Sequence, residues 1–201
     1  MTTSSTAKIH GIIFDLDGTL VGSQLNFPLL RELVGCPSDV DILEHVSSLP
    51  QDQQKQAQAV IEQHELDDAH TASWLPGAKT LVETISNLGL PVAIVTRNSP
   101  KAAQIKLDNN QIPIDIMLTR ADAPAKPDPT ALLQIAATWQ LEPKAIAYVG
   151  DYKYDLQAAH NAGMQAYLYA PLDQPDYAHL AHVIYQHHDE FTEQLHQMVT
   201  N

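Results

Sequence analysis

The sequence predicts an α/β fold: a parallel sheet covered by helices on both faces, with a small all-helical segment inserted after the first strand. Three observations predict it. Short apolar, β-rich runs recur at 9–16, 91–96, 114–119, 145–150 and 165–170. Helical patterns separate them, and strands alternating with helices at this spacing argue for parallel pairing. One stretch, 22–75, breaks the rhythm and holds no strand run.

Ile9 to Leu16, IHGIIFDL, reads as a buried parallel strand that meets a loop, because it is almost continuously apolar and then ends in carboxylates and a glycine. In the next stretch FPLLRELVG, DVDILEHVSSL and QDQQKQAQAVIEQHELDDAH read as three helices. About 54 residues is marginal for an independent domain. Residues 22–75 are therefore expected to form a helical cap docked on a core built from 1–21 and 76–201. The Gln-rich helix has few apolar residues and is expected to present a solvated face, with Lys55 in solvent. Further helices are expected at 77–88, 100–109, 127–139 and 152–162. Six of the ten histidines lie from His160 onward. They lack an HExxH pattern and any cysteine partner, so this region reads as exposed rather than as a zinc site.

Composition narrows the function. With 201 residues, 44% hydrophobic and 17% charged, the chain is globular, not disordered. A formal net charge of −13 argues against general binding to nucleic acid or to an anionic membrane surface. It leaves room for a local cationic pocket that takes one small anion. Cys36 is the single cysteine, so no internal disulfide forms; with no histidine in a recognisable pattern beside it, it reads as a buried or turn thiol. No apolar run reaches 18 residues, so no transmembrane helix is expected. The first residues lack the basic and apolar regions of a secretory leader, and the expected location is the cytoplasm. The oligomeric state is not legible.

Chemistry-bearing groups gather at the strand ends. The first strand ends in Asp15-Leu16-Asp17-Gly18-Thr19 and the second in Thr96-Arg97-Asn98. Lys126 follows the third strand, and Asp151 and Asp155 follow the fourth. In a parallel sheet these groups converge on one crevice. One ammonium does not compensate four carboxylates there, and the repulsion among the carboxylates is removed by a divalent cation. Oxygen donors without His or Cys suit a hard ion, Mg2+ before Mn2+. A carboxylate in that setting, Asp15, is a nucleophile for phosphorus. Thr96, backbone N–H groups and Lys126 can hold phosphoryl oxygens. Asp17, two residues on, can protonate a leaving oxygen and later activate water.

DLDGT, a hydrophobic run ending in Thr96, Lys126-Pro127 and GDYKYD stand in this order, each at the end of an expected strand or in its loop. Together they resemble the four motifs of the haloacid dehalogenase superfamily, over nearly the whole chain. Within it the chain is similar to phosphoglycolate-phosphatase-like hydrolases, with a helical cap inserted after the first motif. The resemblance implies a Rossmann-like three-layer core and Mg2+-dependent hydrolysis of a small phosphorylated metabolite through an aspartyl-phosphate. It makes Asp15 the nucleophile and Asp17 the general acid/base, with the Asp17 main-chain carbonyl on the metal. Thr96 would bind the phosphoryl group, and Lys126 would hold both that group and Asp15. Asp15 and Asp151 would ligate Mg2+, with Asp155 supporting it directly or through water. Arg97 and Asn98 either contact the ligand or shape the loop, and Asp128 reads as a local cap.

Alternatives remain. A phosphomutase of the same superfamily shares every motif. A receiver-type phosphoacceptor uses the same residue types, but in another order. The cap is short and carries two basic residues, Arg31 and Lys55. Arg31 is the candidate for a substrate contact; a Schiff-base role for Lys55 is the remoter alternative.

Overall fold

A computed structural model describes residues 8–200, and the side chains of residues 8–196. Its strands are β1 (Gly11–Phe14), β2 (Val92–Val95), β3 (Ile116–Leu118), β4 (Ile146–Gly150), β5 (Gln165–Tyr169) and β6 (Val183–Tyr185). Its helices are α1 (Phe27–Val34), α2 (Ile42–Ser48), α3 (Gln51–Ala69), α4 (Ala78–Asn87), α5 (Pro100–Asn110), α6 (Thr130–Trp139), α7 (Lys153–Ala162) and α8 (His188–Thr200).

The strands make one all-parallel sheet in the order β3-β2-β1-β4-β5-β6. Both faces are buried, which is why the strands read as apolar at consecutive positions. Ile12 and Phe14 face one core with Leu81 and Ile85 of α4 and Phe191 of α8. Ile13 faces the other with Leu132 and Ile135 of α6 and Leu156 of α7. From β1 the chain first builds β2 and β3 on one side, then crosses to β4 on the other. The order therefore reverses between β1 and β4, and a crevice opens beyond their carboxyl ends.

Local signals set most helix starts. Asp41 accepts the N–H groups of Leu43 and Glu44 at the start of α2. Ser99 accepts Ala102 N–H ahead of Pro100 in the first turn of α5. Helix α6 starts at Thr130, later than the expected 127. Asp128 takes Thr130 N–H at 2.8 Å in a turn, the local cap expected of it, and the residue before Pro129 is disfavoured from helical backbone.

Helices α1 to α3 close over their own small core of Leu30, Cys36, Ile42, Val46, Ala57 and Ile61. Cys36 is buried there, as its context suggested, and Lys55 is exposed. The Gln-rich α3 is only partly the solvated helix expected. Its outer glutamines are exposed, but Glu65 and Asp68 near its end are buried.

The C-terminal region departs from the expectation of an exposed tail. β6 adds to the sheet beside β5, and α8 packs Phe191 and Leu195 into the core. His188 is fully buried. Its ring stacks on Tyr169 at 4.1 Å, and its Nε2 lies 2.9 Å from the Thr19 carbonyl oxygen. The polar run QHHDE around it gives no local sign of burial; Thr19 and Tyr169, distant in sequence, decide it. Among the described residues no helix is long and apolar enough to cross a membrane.

Candidate active site

The loop after β1 opens the site. Gly18 holds φ +77°, and a side chain there would run into the Asp151 carboxylate, so the turn needs glycine for both conformation and space. The loop projects Asp15 into the crevice. Lys126, after β3, reaches it with Nζ 2.7 Å from Asp15 Oδ1. The same ammonium donates to Asp155 Oδ1 at 2.7 Å and to the Val95 carbonyl at 3.1 Å. Three donors thus meet three acceptors, and Lys126 is 5% exposed.

Asp155 lies in the first turn of α7. Its Oδ2 accepts the N–H of Tyr152 at 3.0 Å, and its Oδ1 also receives the hydroxyl of buried Tyr148 at 3.1 Å. Both oxygens are engaged within the protein, so Asp155 supports the site more than it offers a free ligand atom. Asp151, directly after β4, accepts the Thr19 hydroxyl on Oδ1 at 3.4 Å. Carboxylate oxygens of Asp15, Asp151 and Asp155 lie within 4.8 Å of one another.

The electrostatics follow from that crowding. Burial raises the Asp15 pKa to about 7; Lys126 opposes the rise, and Asp155 and Asp17 add to it. Asp151 is pushed well above the carboxylate range by burial, then by Asp15 and Asp155. Burial works against the Lys126 ammonium, but Asp15 and Asp155 outweigh it and hold its pKa above the ordinary lysine value. One ammonium does not balance three crowded carboxylates, two of them buried. An all-oxygen set in this state fits a hard divalent cation, which would remove the repulsion.

Asp17 is not part of that cluster. Its Oδ2 lies 2.5 Å from Asn98 Nδ2 and its Oδ1 2.5 Å from Lys106 Nζ. Asn98 also donates to Thr96 Oγ1, from its amide side chain at 3.0 Å and its backbone at 3.2 Å. The loop after β2 is thereby tied to the loop after β1. Arg97 turns the other way: Nη2 is 2.6 Å from Asp41 Oδ1, and the guanidinium lies 4.8 Å from the Tyr154 ring centroid. Of the two readings left open, Asn98 shapes the site through Asp17 and Thr96, and Arg97 joins the core to the helical insert.

The insert meets the core through three such pairs. Asp41 pairs with Arg97, Glu65 with Arg120, and Asp68 with Lys106. Glu65 also accepts Ser99 N–H at the start of α5. A cleft of about 840 Å³ lies between the two parts, bounded by Ile61, Arg97, Arg120, Lys126 and Tyr154 among others. Arg31 does not line it, which corrects the expected substrate contact. Its Nη1 is 2.6 Å from the carbonyls of both Pro37 and Val40, so it holds the α1–α2 loop.

The sequence reading placed Asp15, Asp17, Thr96, Arg97, Asn98, Lys126, Asp151 and Asp155 at one crevice. Lys126 joins Asp15 and Asp155, with Asp151 beside them, Asn98 joins Asp17 and Thr96, and Arg97 turns to Asp41. It missed Tyr148, Lys106, Arg120, Glu65 and Asp68. For Lys106 a signal exists: it shares the buried stripe of α5 with Ala102, Ala103 and Leu107, and a lysine on such a stripe needs a buried partner. The partners on α3 carry no motif.

A family model described as haloacid dehalogenase-like hydrolase matches residues 22–169. A haloacid dehalogenase-like hydrolase domain-containing protein of Arabidopsis thaliana is 30% identical over 175 residues, covering 81% of this chain and 71% of that one. A phosphoglycolate phosphatase of Vibrio vulnificus is 28% identical over 189 residues, covering 80% and 83%. Among solved structures, a hydrolase from Pseudomonas syringae superposes with a TM-score of 0.77 at 22% identity, covering 94% of this chain and 98% of that one. Sequence, sheet order and the four strand-end motifs agree: this chain belongs to the haloacid dehalogenase-like hydrolases.

Proposed function

We propose that the chain is a Mg2+-dependent phosphatase that hydrolyses the monoester of a small phosphorylated metabolite through an aspartyl-phosphate on Asp15. One observation supports this most: a buried carboxylate after β1 is gripped by Lys126 and crowded by Asp151 and Asp155, and the same Lys126 lines a cleft of about 840 Å³ between insert and core. Asp15 and Asp151 would hold the ion through carboxylates and Asp17 through its main-chain carbonyl, with Asp155 behind them. The ion supplies charge neutralisation, which keeps Asp15 ionised and lets a phosphate dianion approach it.

The chain's own residues then divide the work. Lys126 fixes the plane of the Asp15 carboxylate. An Asp15 oxygen forms a bond to phosphorus as the ester P–O bond breaks, and Asp17 gives its proton to the leaving alcohol. Thr96 Oγ1 accepts two bonds from Asn98, and its hydroxyl proton serves a phosphoryl oxygen. In the second half Asp17 takes a proton from water, the water oxygen bonds to phosphorus, and the Asp15–phosphorus bond breaks. Inorganic phosphate leaves and both carboxyls return to their starting states.

The test is phosphate release from a panel of phosphorylated metabolites, with Mg2+ and after EDTA treatment, using wild type and Asp15→Asn. Release that needs the metal and vanishes in Asp15→Asn supports the reading. Full activity after chelation, or in the variant, overturns it. Isomerisation of a sugar phosphate without net phosphate release would make the chain a mutase instead.

A further inference from the structure

We propose that Lys106 is the positioning residue for the acid/base carboxylate of Asp17. The inference rests on the phosphatase reading for Asp17 but concerns a residue outside the four motifs. Lys106 lies on α5 and is fully buried. It shares the buried face of α5 with Ala102, Ala103 and Leu107. Its Nζ stands 2.5 Å from Asp17 Oδ1 and 2.7 Å from Asp68 Oδ2.

Asp17 needs this help. Its backbone leaves β1 through a turn, and its side chain is partly exposed. A carboxylate on a loop samples several rotamers, and proton transfer requires one. Asn98 holds Oδ2 and Lys106 holds Oδ1. Two donors from different elements on the two oxygens leave the carboxylate one orientation. Asn98 is itself on a loop; Lys106 is on a packed helix, so its ammonium is the more rigid anchor.

Asp68 keeps Lys106 in place and extends the link. It is the cap-side end of the same chain of charges, near the end of α3. Its carboxylate also accepts the Ser23 hydroxyl at 3.0 Å and the Gln24 N–H at 2.5 Å. These residues lead from the β1 loop into the helical insert. The orientation of Asp17 is therefore anchored to the segment through which the insert joins the core. A lysine used only to neutralise Asp68 would not need to reach Asp17.

The experiment compares Lys106→Met with wild type on two substrates. An alkyl phosphate needs its leaving oxygen protonated; p-nitrophenyl phosphate does not, because nitrophenolate leaves as the anion. The expected result is a loss of about 10²-fold in kcat/KM for the alkyl ester, with less than about 5-fold for the aryl ester. A crystal structure of the variant should show Asp17 in a second conformer. Equal losses on both esters, or no loss, overturn the proposal, as does an unmoved Asp17. Where Lys106→Met does not fold, the charge-balanced pair Lys106→Met with Asp68→Asn is used, with the same expected and overturning results. A wild type that releases phosphate from neither ester nor any member of the metabolite panel refutes the phosphatase reading; the position of Asp17 in the variant still decides the positioning role.

Discussion

Arg97 Nη2 lies 2.6 Å from Asp41 Oδ1, so the residue that follows Thr96 is bound to the carboxylate that starts α2. That carboxylate serves the helix and the ion pair at once. Burial works against its charge, but the Arg97 contact outweighs this and lowers its pKa. With Arg120–Glu65 and Lys106–Asp68, it means that the core supplies the cations and the insert the anions along their seam.

Asp41→Ala removes a helix cap and one of the three pairs. We expect a loss of about 1 kcal/mol in stability and a rise of several fold in KM, with kcat within about two-fold of wild type. Steady-state kinetics beside urea melts read both. An unchanged KM would leave the pair with a structural role alone.

Lys126→Arg and Lys126→Ala are both expected to lose at least about 10²-fold in kcat/KM, near 2.7 kcal/mol of transition-state stabilisation. Three acceptors converge on one nitrogen, and a planar guanidinium does not match that arrangement. Kinetics at saturating Mg2+ decide it, and near wild-type rates for Lys126→Ala would remove the residue from the site.

Gly150→Ala tests the packing behind the carboxylates. A methyl group at 150 would overlap Asp155 Cβ and Cγ. Relief requires Asp155 to move and release Lys126. The expected cost is about 1–3 kcal/mol of stability, together with a large fall in kcat. A variant of normal activity and normal urea midpoint would mean that the loop yields without disturbing Asp155.

His188 predicts an acid sensitivity away from the carboxylates. Burial lowers its pKa from 6.5 to about 4, against smaller opposing effects of the Thr19 carbonyl and Asp189. The unfolded chain takes up a proton near pH 6.5 and the folded one does not. The stability from burying the neutral ring is complete above pH 6.5. It is lost as pH falls through the window down to 4, by about 3 kcal/mol at its lower end. Urea midpoints at pH 7.5 and 4.5 should show a smaller drop for His188→Gln than for wild type. An equal drop in both would assign the acid loss to other groups.

Much of this molecule was legible in the sequence because parallel strands buried on both faces leave continuous apolar runs, and because sheet topology sends their carboxyl ends to one place. Asp15, Asp17, Thr96 and Asp151 stand at such an end, and Lys126 and Asp155 in the loop or first helical turn that follows one, so order along the chain was enough to send them to one end of the sheet. Asp128 was readable for a similar reason: its partner is two residues away.

Tertiary structure alone decided the rest, where a residue's environment comes from distant parts of the chain. Lys106, Glu65 and Asp68 are charged residues whose burial is tolerable only because their partners meet them across the seam between insert and core; no local pattern encodes a partner on another element. Arg31 was the cap's candidate for a substrate contact and Arg97 stood open between ligand and loop; packing turned Arg31 to its own loop and paired Arg97 with Asp41 at the edge of the cleft. His188 sits among polar neighbours, yet Tyr169 and Thr19 enclose it. Periodicity reports which face of an element is apolar, and motifs report what stands at strand ends. Which charge meets which is fixed only when the elements pack, because an ion pair depends on a few ångströms in space and not on separation along the chain.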